Sequence, residues 1–217
     1  MKNAKLGIRL PFYFGGFFIM TIGIALSVKS NLGVSPVSSI PYTMTCVWGI
    51  EMGRATIIFH AILVALQIIL LRRKFEVKNL LQILVGVVFG SFTTLCNSLV
   101  ALAPTPENLF IRLLMCWAGT IFVAFGIFFY VPADIMPLAG EGTMLAISSL
   151  TGKPFPTVKI AFDISMVCVS LVTCLFFLHS LGSVGIGTVI AALLVGIELN
   201  MVTHRFGAWR DKLLHDT

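Results

Sequence analysis

The stretch SNLGVSPVSSIPYTMTCVWG, residues 30–49, carries no charge and is long enough to cross a bilayer. It also holds Asn31, Gly33, Pro36 and Pro41, with four serines and two threonines. Such backbone breaks survive at membrane depth only where protein or a water-filled cavity satisfies the polar groups they free. Whether this stretch crosses the membrane or turns back inside it decides the topology of the chain.

The composition makes the membrane the relevant solvent. The 217 residues are 58% hydrophobic and 11% charged, with a mean hydropathy of +1.00. Soluble domains carry about a quarter charged residues. Uncharged runs span residues 10–28, 55–71, 80–106, 113–133 and 164–197. The last is long enough for two spans, with His179-Ser-Leu-Gly182 as the turn. No length remains for a soluble catalytic or nucleic-acid-binding domain. The net charge of +6 therefore reads as the positive-inside bias of a bacterial membrane protein rather than as a nucleic-acid footprint. Cys46, Cys96, Cys116, Cys168 and Cys174 are scattered through apolar segments without metal-ligand or disulfide spacing. No metal and no cofactor is expected. The start of the chain, with Lys2, Lys5 and Arg9 before an apolar run, resembles a signal peptide, but that run belongs to an internal repeat.

A shift of 103 residues aligns the two halves without a gap over roughly 55 positions. Gly16 falls on Gly119, Gly23-Ile24 on Gly126-Ile127, Gly49 on Gly152 and Phe59 on Phe162. After a three-residue gap, Leu84–Gly90 falls on Ile190–Gly196. The repeats run over 12–102 and 109–204. Each holds a span, a Pro/Gly-rich break, a short amphipathic segment ending in glycine, and two further spans. A broken segment in corresponding positions of two repeats is the best sequence pointer to a transporter binding site.

Charge counting chooses between six spans and eight. With a cytoplasmic N-terminus and both broken segments re-entrant, Lys2, Lys5, Arg9, Arg72, Arg73, Lys74, Lys78, Lys153, Lys159, Arg205, Arg210 and Lys212 lie inside. Only Lys29, Arg54 and Arg112 lie outside. Eight spans would send the Arg72–Lys74 cluster outside, against the positive-inside rule. Three spans per half reverses the orientation of the second half. The expected fold is thus an all-α polytopic membrane protein, one membrane domain over 1–217. It has six transmembrane helices plus two re-entrant half-helices in an inverted 3+3 repeat, with both termini cytoplasmic in the bacterial inner membrane. Pro36 suits the first turn of a short helix, where its missing N–H is no loss. Val37–Val47 would extend roughly 16 Å at 1.5 Å per residue, about half a bilayer.

Each half-helix would start near the midplane and present its unpaired N–H groups and positive dipole end there. The candidate solute-binding residues are Asn31, Ser35, Ser38 and Ser39 in the first half, and Gly140, Glu141, Gly142 and Thr143 in the second. His60 and Asp163 join them from the spans that follow. Ser38 and Glu141 are equivalent under the shift, as are His60 and Asp163. Glu141, Asp163 and His60 are the proton-coupling candidates, because ionisable groups inside spans face a cavity or a partner. Structural roles stay open for each. Glu141 could cap its helix, His60 could be a neutral core histidine, and Asp163 could pair with Lys159 one turn earlier. Glu198 and Asn200 could be interfacial, and the glycines of the spans could serve close helix packing.

Asn31-Leu-Gly-Val-Ser-Pro36 followed by a short helix and Gly49, with Gly182–Thr188 leading to Ala192–Gly196, resembles the YczE/YitT-like bacterial integral membrane proteins. The resemblance covers about Gly15 to Gly196. In that family Trp-Asp commonly follows the first Ser-Pro, where this chain has Val37-Ser38. The family's second half commonly has an Asp before a Gly, where this chain has Glu141-Gly142. The resemblance implies a membrane protein with a transport role.

The expected function is a transporter moving a small polar solute, anions included, by alternating access with proton coupling. The alternatives are a substrate-capture subunit of a multi-protein importer and a passive channel with two re-entrant half-helices. An enzyme is not expected, since no nucleophile motif such as G-x-S-x-G occurs. The expected partners are a small-molecule solute and the lipid bilayer, with no nucleic acid. The glycine-rich spans also suit a homodimer.

Overall fold

The computed structural model describes residues 6–215. Among them the chain forms eight α-helices and three short 3-10 turns, with no strand. Six helices are long and apolar enough to cross a membrane: α1 (Leu6–Ser30), α3 (Met52–Leu71), α4 (Leu81–Ala101), α5 (Leu109–Tyr130), α7 (Phe155–Leu178) and α8 (Ile186–His215). Between α1 and α3 stands α2 (Pro36–Trp48), and between α5 and α7 stands α6 (Ala139–Thr151). Each of these two has 13 residues, about 20 Å at 1.5 Å per residue. That falls short of a hydrocarbon core about 30 Å thick. The stretch 30–49 is therefore the last residue of one long helix, a loop, and a short helix of 13 residues.

Local chemistry sets these boundaries. α2 opens on Pro36, and Pro41 inside it has no N–H to give to the carbonyl of Val37. α2 and α6 both stop at a glycine, Gly49 and Gly152, each with φ +68°. That left-handed conformation costs other residues roughly 1–2 kcal/mol. Glu51 caps α3 by accepting from the N–H groups of Gly53 and Arg54 at 2.8 and 3.0 Å. Asn108 caps α5 in the same way through Phe110. The turn after α7 falls at His179 in the left-handed region and at Gly182.

The backbone recurs 103 residues apart. α6 begins and ends 103 residues after α2, and α7 begins 103 residues after α3. Asn31 (φ +50°) and Asp134 (φ +47°) are left-handed at equivalent positions, as are Gly49 and Gly152.

The helices sort into two compact units, each drawing on both halves of the sequence. Among the described residues, the first comprises 6–35, 95–135 and 186–215, and the second 36–94 and 136–185.

In the first unit α1 and α5 cross antiparallel at glycines. A Cβ on Gly23 would stand 2.5 Å from the Gly119 carbonyl oxygen, and one on Gly126 would stand 2.7 Å from that of Gly16. Small residues let the two backbones meet. The pairing is reciprocal under the shift, since Gly16 is the counterpart of Gly119 and Gly23 that of Gly126. The ends of the pair repeat it with charge. Arg9 donates through Nε to the Ala133 carbonyl at 2.7 Å and through Nη2 to that of Asp134. Arg112 donates to the carbonyls of Ser30 and Asn31 at 2.7 and 2.6 Å. Arg9 and Arg112 are 103 residues apart, and so are their acceptors. Each guanidinium caps the C-terminal end opposite, where the last carbonyls lack helical donors. α8 runs along α5 in the same direction, anchored where the Gly187 N–H donates to the Leu32 carbonyl at 2.7 Å.

In the second unit α3 and the first part of α4 form an antiparallel hairpin. Gly53 meets Gly90, and His60 lies against Gly86. The short helices pack crosswise between the halves, α2 on α7 and α6 on α3. Ser39 contacts Met166 and Ser170, Thr43 contacts Cys174, and Trp48 meets Phe177 edge-on. α2 thus starts beside the middle of α7 and runs with it to the end. Phe59, Leu63, Val64, Ala139, Met144, Val158 and Phe162 form the apolar core that binds these helices.

Candidate functional site

The first turns of α2 and α6 meet. A Cβ on Gly140 would stand 3.6 Å from Val37 Cγ1. These two positions are equivalent under the 103-residue shift, so the counterparts lie close to each other. Ser38 and Glu141, the next equivalent pair, flank the contact, and both are half-buried. The residue before α6, Leu138, offers no side-chain cap. The first intrahelical bond there is made by Gly142, whose N–H reaches the Leu138 carbonyl at 2.9 Å. The N–H groups of 139–141 precede that bond and form the positive end of the helix. Glu141 is the one acidic group in this turn. α2 contributes a backbone acceptor, because Pro41 leaves the Val37 carbonyl without its helical donor.

Polar side chains buried among apolar ones hold both turns. On the α6 side Gln67 and Gln82 are each 1% exposed. The Gln67 amide nitrogen donates to Gln82 Oε1 at 2.8 Å, to the Ala139 carbonyl at 3.2 Å and to Thr143 Oγ1 at 3.3 Å. Gly142 leaves room for this pair, since a Cβ there would lie 2.6 Å from the Gln82 amide nitrogen. On the α2 side Ser170 donates to Ser39 Oγ at 2.9 Å, and Ser39 donates to the Pro36 carbonyl at 2.6 Å. One turn on, Thr43 and Ser183 share a hydrogen bond of 2.6 Å. Gln67 and Ser170 occupy equivalent positions in the two halves. Each start is tied by a neutral polar side chain to a long helix of the other half of the chain.

Of the residues expected from the sequence, Ser38, Gly140 and Glu141 surround the meeting of the two turns. Ser39, Gly142 and Thr143 face the layer that supports it. His60 is buried against α4, stacked on Phe89 with ring centres 5.7 Å apart, and its Nδ1 has no hydrogen-bond partner. Asp163 pairs with Lys159 at 2.7 Å one turn away, leaving Oδ1 shielded and without a partner. Asn31 and Ser35 belong to the first unit, where Asn31 is exposed and lends its carbonyl to Arg112. A groove of about 320 Å³ lies along α7 and the later turns of α6, lined by Ile147, Thr151, Val158 and Phe162 among others. It does not include the first turns. Among the described residues no cluster of His, Cys, Asp and Glu is arranged to hold a metal.

Gln67, Gln82, Ser170 and the pair Arg9/Arg112 are not among the residues expected from the sequence. Ionisable groups inside spans drew the search, and the supporting groups are uncharged. The two arginines counted only as topology charges. One signal was available, because Gln67 and Ser170 are polar interruptions of apolar spans 103 residues apart.

The chain resembles known proteins over nearly its whole length. It is 26% identical over 200 residues to the "Uncharacterized membrane protein YczE" of Bacillus subtilis (strain 168), an alignment covering 91% of this chain and 86% of that protein. No solved structure matches it. Residues 7–204 match the model of a family of unknown function, DUF6198, and the chain is a membrane protein belonging to that family.

Proposed function

We propose that the protein is a transporter that moves a small polar solute, anions included, across the bacterial inner membrane by alternating access. The observation that carries this reading is the meeting of Val37 with Gly140. Two helix starts converge there with Ser38 and Glu141 beside them. α2 starts beside the middle of α7, so if α7 spans the bilayer that start lies near the midplane. Half-helix starts at the midplane of an inverted repeat are where secondary transporters bind anionic groups. The 103-residue recurrence of helices, left-handed residues and arginine caps supports an inverted repeat, with α2 and α6 re-entrant from opposite sides and both termini cytoplasmic.

In this reading the first-turn N–H groups and Ser38 hold the solute. Glu141 repels a fully ionised anion unless it is itself protonated, which would couple solute entry to a proton. A thermal-shift screen of the purified protein with phosphate, sulfate, small carboxylates and amino acids should give a hit that Glu141→Gln alters while the fold is retained. Liposomes loaded with the hit compound should then show pH-gradient-dependent flux that the variant loses. Flux in Glu141→Gln equal to that of the parent would remove the coupling role.

A further inference from the structure

Glu198 lies on α8 facing α5. Its Oε1 stands 3.1 Å from Thr120 Oγ1, while Oε2 is shielded from solvent and has no hydrogen-bond partner. Thr120 stands halfway along α5, a helix long and apolar enough to cross a membrane. The carboxyl is therefore held at about half the depth of that helix.

The Thr120 hydroxyl has a single proton and two oxygen neighbours. One is the Trp117 carbonyl in its own helix at 2.7 Å, and the other is Glu198 Oε1 at 3.1 Å. Thr120 therefore offers the carboxyl at most one hydrogen bond, and a shared one.

No cation answers the carboxyl. α8 packs on α5, α1 and the turn Val131–Ala133. Arg112 is bound to the carbonyls of Ser30 and Asn31, Arg9 to those of Ala133 and Asp134, and Lys29 to that of Ala103. On α8 itself Arg210 is bound to Asp211 and to the Phe128 carbonyl, while His204, Arg205 and Lys212 are exposed. The other titratable groups are Cys116, one turn before Thr120 on α5, Tyr13 and Tyr130 packed together beyond the Gly16–Gly126 contact, and Asp134 beside Arg9. None supplies a positive charge, and among the described residues no ion pair includes Glu198. An ionised carboxylate without a cation at membrane depth is costly, and the group takes up a proton instead.

We propose that Glu198 is a proton-binding site, a carboxyl between α5 and α8 that carries a proton near neutral pH and loses it as the pH is raised. It rests on the first unit alone and does not depend on the solute reading. The test uses the full-length protein in lipid. Infrared spectra should show the carbonyl band of a protonated carboxylic acid near neutral pH. That band should be missing in Glu198→Gln and should fade as the pH is raised. Dicyclohexylcarbodiimide, which adds to protonated carboxyls in apolar surroundings, should leave a mass adduct on Glu198 that declines over the same range. A spectrum unchanged by Glu198→Gln, together with no adduct at Glu198 at any pH, overturns the proposal. So does a band or adduct insensitive to pH. A negative solute screen with a positive band would sink the transport reading and leave the proton site standing.

Discussion

At the scale of single residues, the Gln67–Gln82 pair shows how uncharged groups position a site. Both amides are buried, and Gln67 bonds to two groups of α6 as well as to its partner. Removing one member leaves the other with an unmet polar group, which costs about 1–3 kcal/mol. Gln67→Leu should therefore lower the apparent melting temperature in detergent. The double change Gln67→Leu with Gln82→Leu should cost less than the sum of the two single changes. A strictly additive double-mutant cycle would mean that the pair does not act as a unit. These residues are hard to single out from sequence because each alone is one polar residue in an apolar helix. What gives them meaning is the helix hairpin that brings positions 67 and 82 together.

At the scale of elements, the antiparallel pair α1 and α5 joins glycine contacts in the middle to arginine caps at both ends. Each guanidinium meets two carbonyls at a helix end, favoured by the dipole there. Charged hydrogen bonds of this kind contribute about 1.5–3 kcal/mol when shielded, and less where solvent reaches them. Arg9→Met and Arg112→Met should each destabilise the protein by about 1–2 kcal/mol by that reckoning. Because the two caps share no partner and stand at opposite ends, the double variant should show the sum within about 0.5 kcal/mol in thermal unfolding. The helices themselves are legible in the sequence. Hydropathy marks the six long ones, and Pro36, Gly49 and Gly152 mark the limits of the short ones. Which helix packs on which is not, because contacts such as Arg9 with Asp134 or Ser39 with Ser170 join residues over a hundred positions apart.

At the scale of the whole molecule, the orientation of the segments can be read by labelling. In a background without the five native cysteines, single cysteines replacing Asn31 and Glu51 bracket α2, and those replacing Asp134 and Lys153 bracket α6. A membrane-impermeant maleimide should reach the first pair from outside the cell and the second pair only after the cells are opened. Labelling of Asn31→Cys and Glu51→Cys from opposite sides would show that α2 crosses the membrane. Sequence reasoning points to Ser38 and Glu141 for the candidate site, because the shift places them at equivalent positions beside a helix start. It misses what lies under them, because only the fold brings α3, α4 and α7 to those turns. The reciprocal arginine caps also set a timetable for synthesis. The ribosome makes about 5–20 residues per second, and Arg112 follows the carbonyls it caps by 81 and 82 residues. α1 can coil within microseconds of entering the bilayer, yet its end waits roughly 4–16 seconds for its cap at that rate. During that interval the end carbonyls of α1 are without Arg112, and water or a lipid headgroup stands in for it.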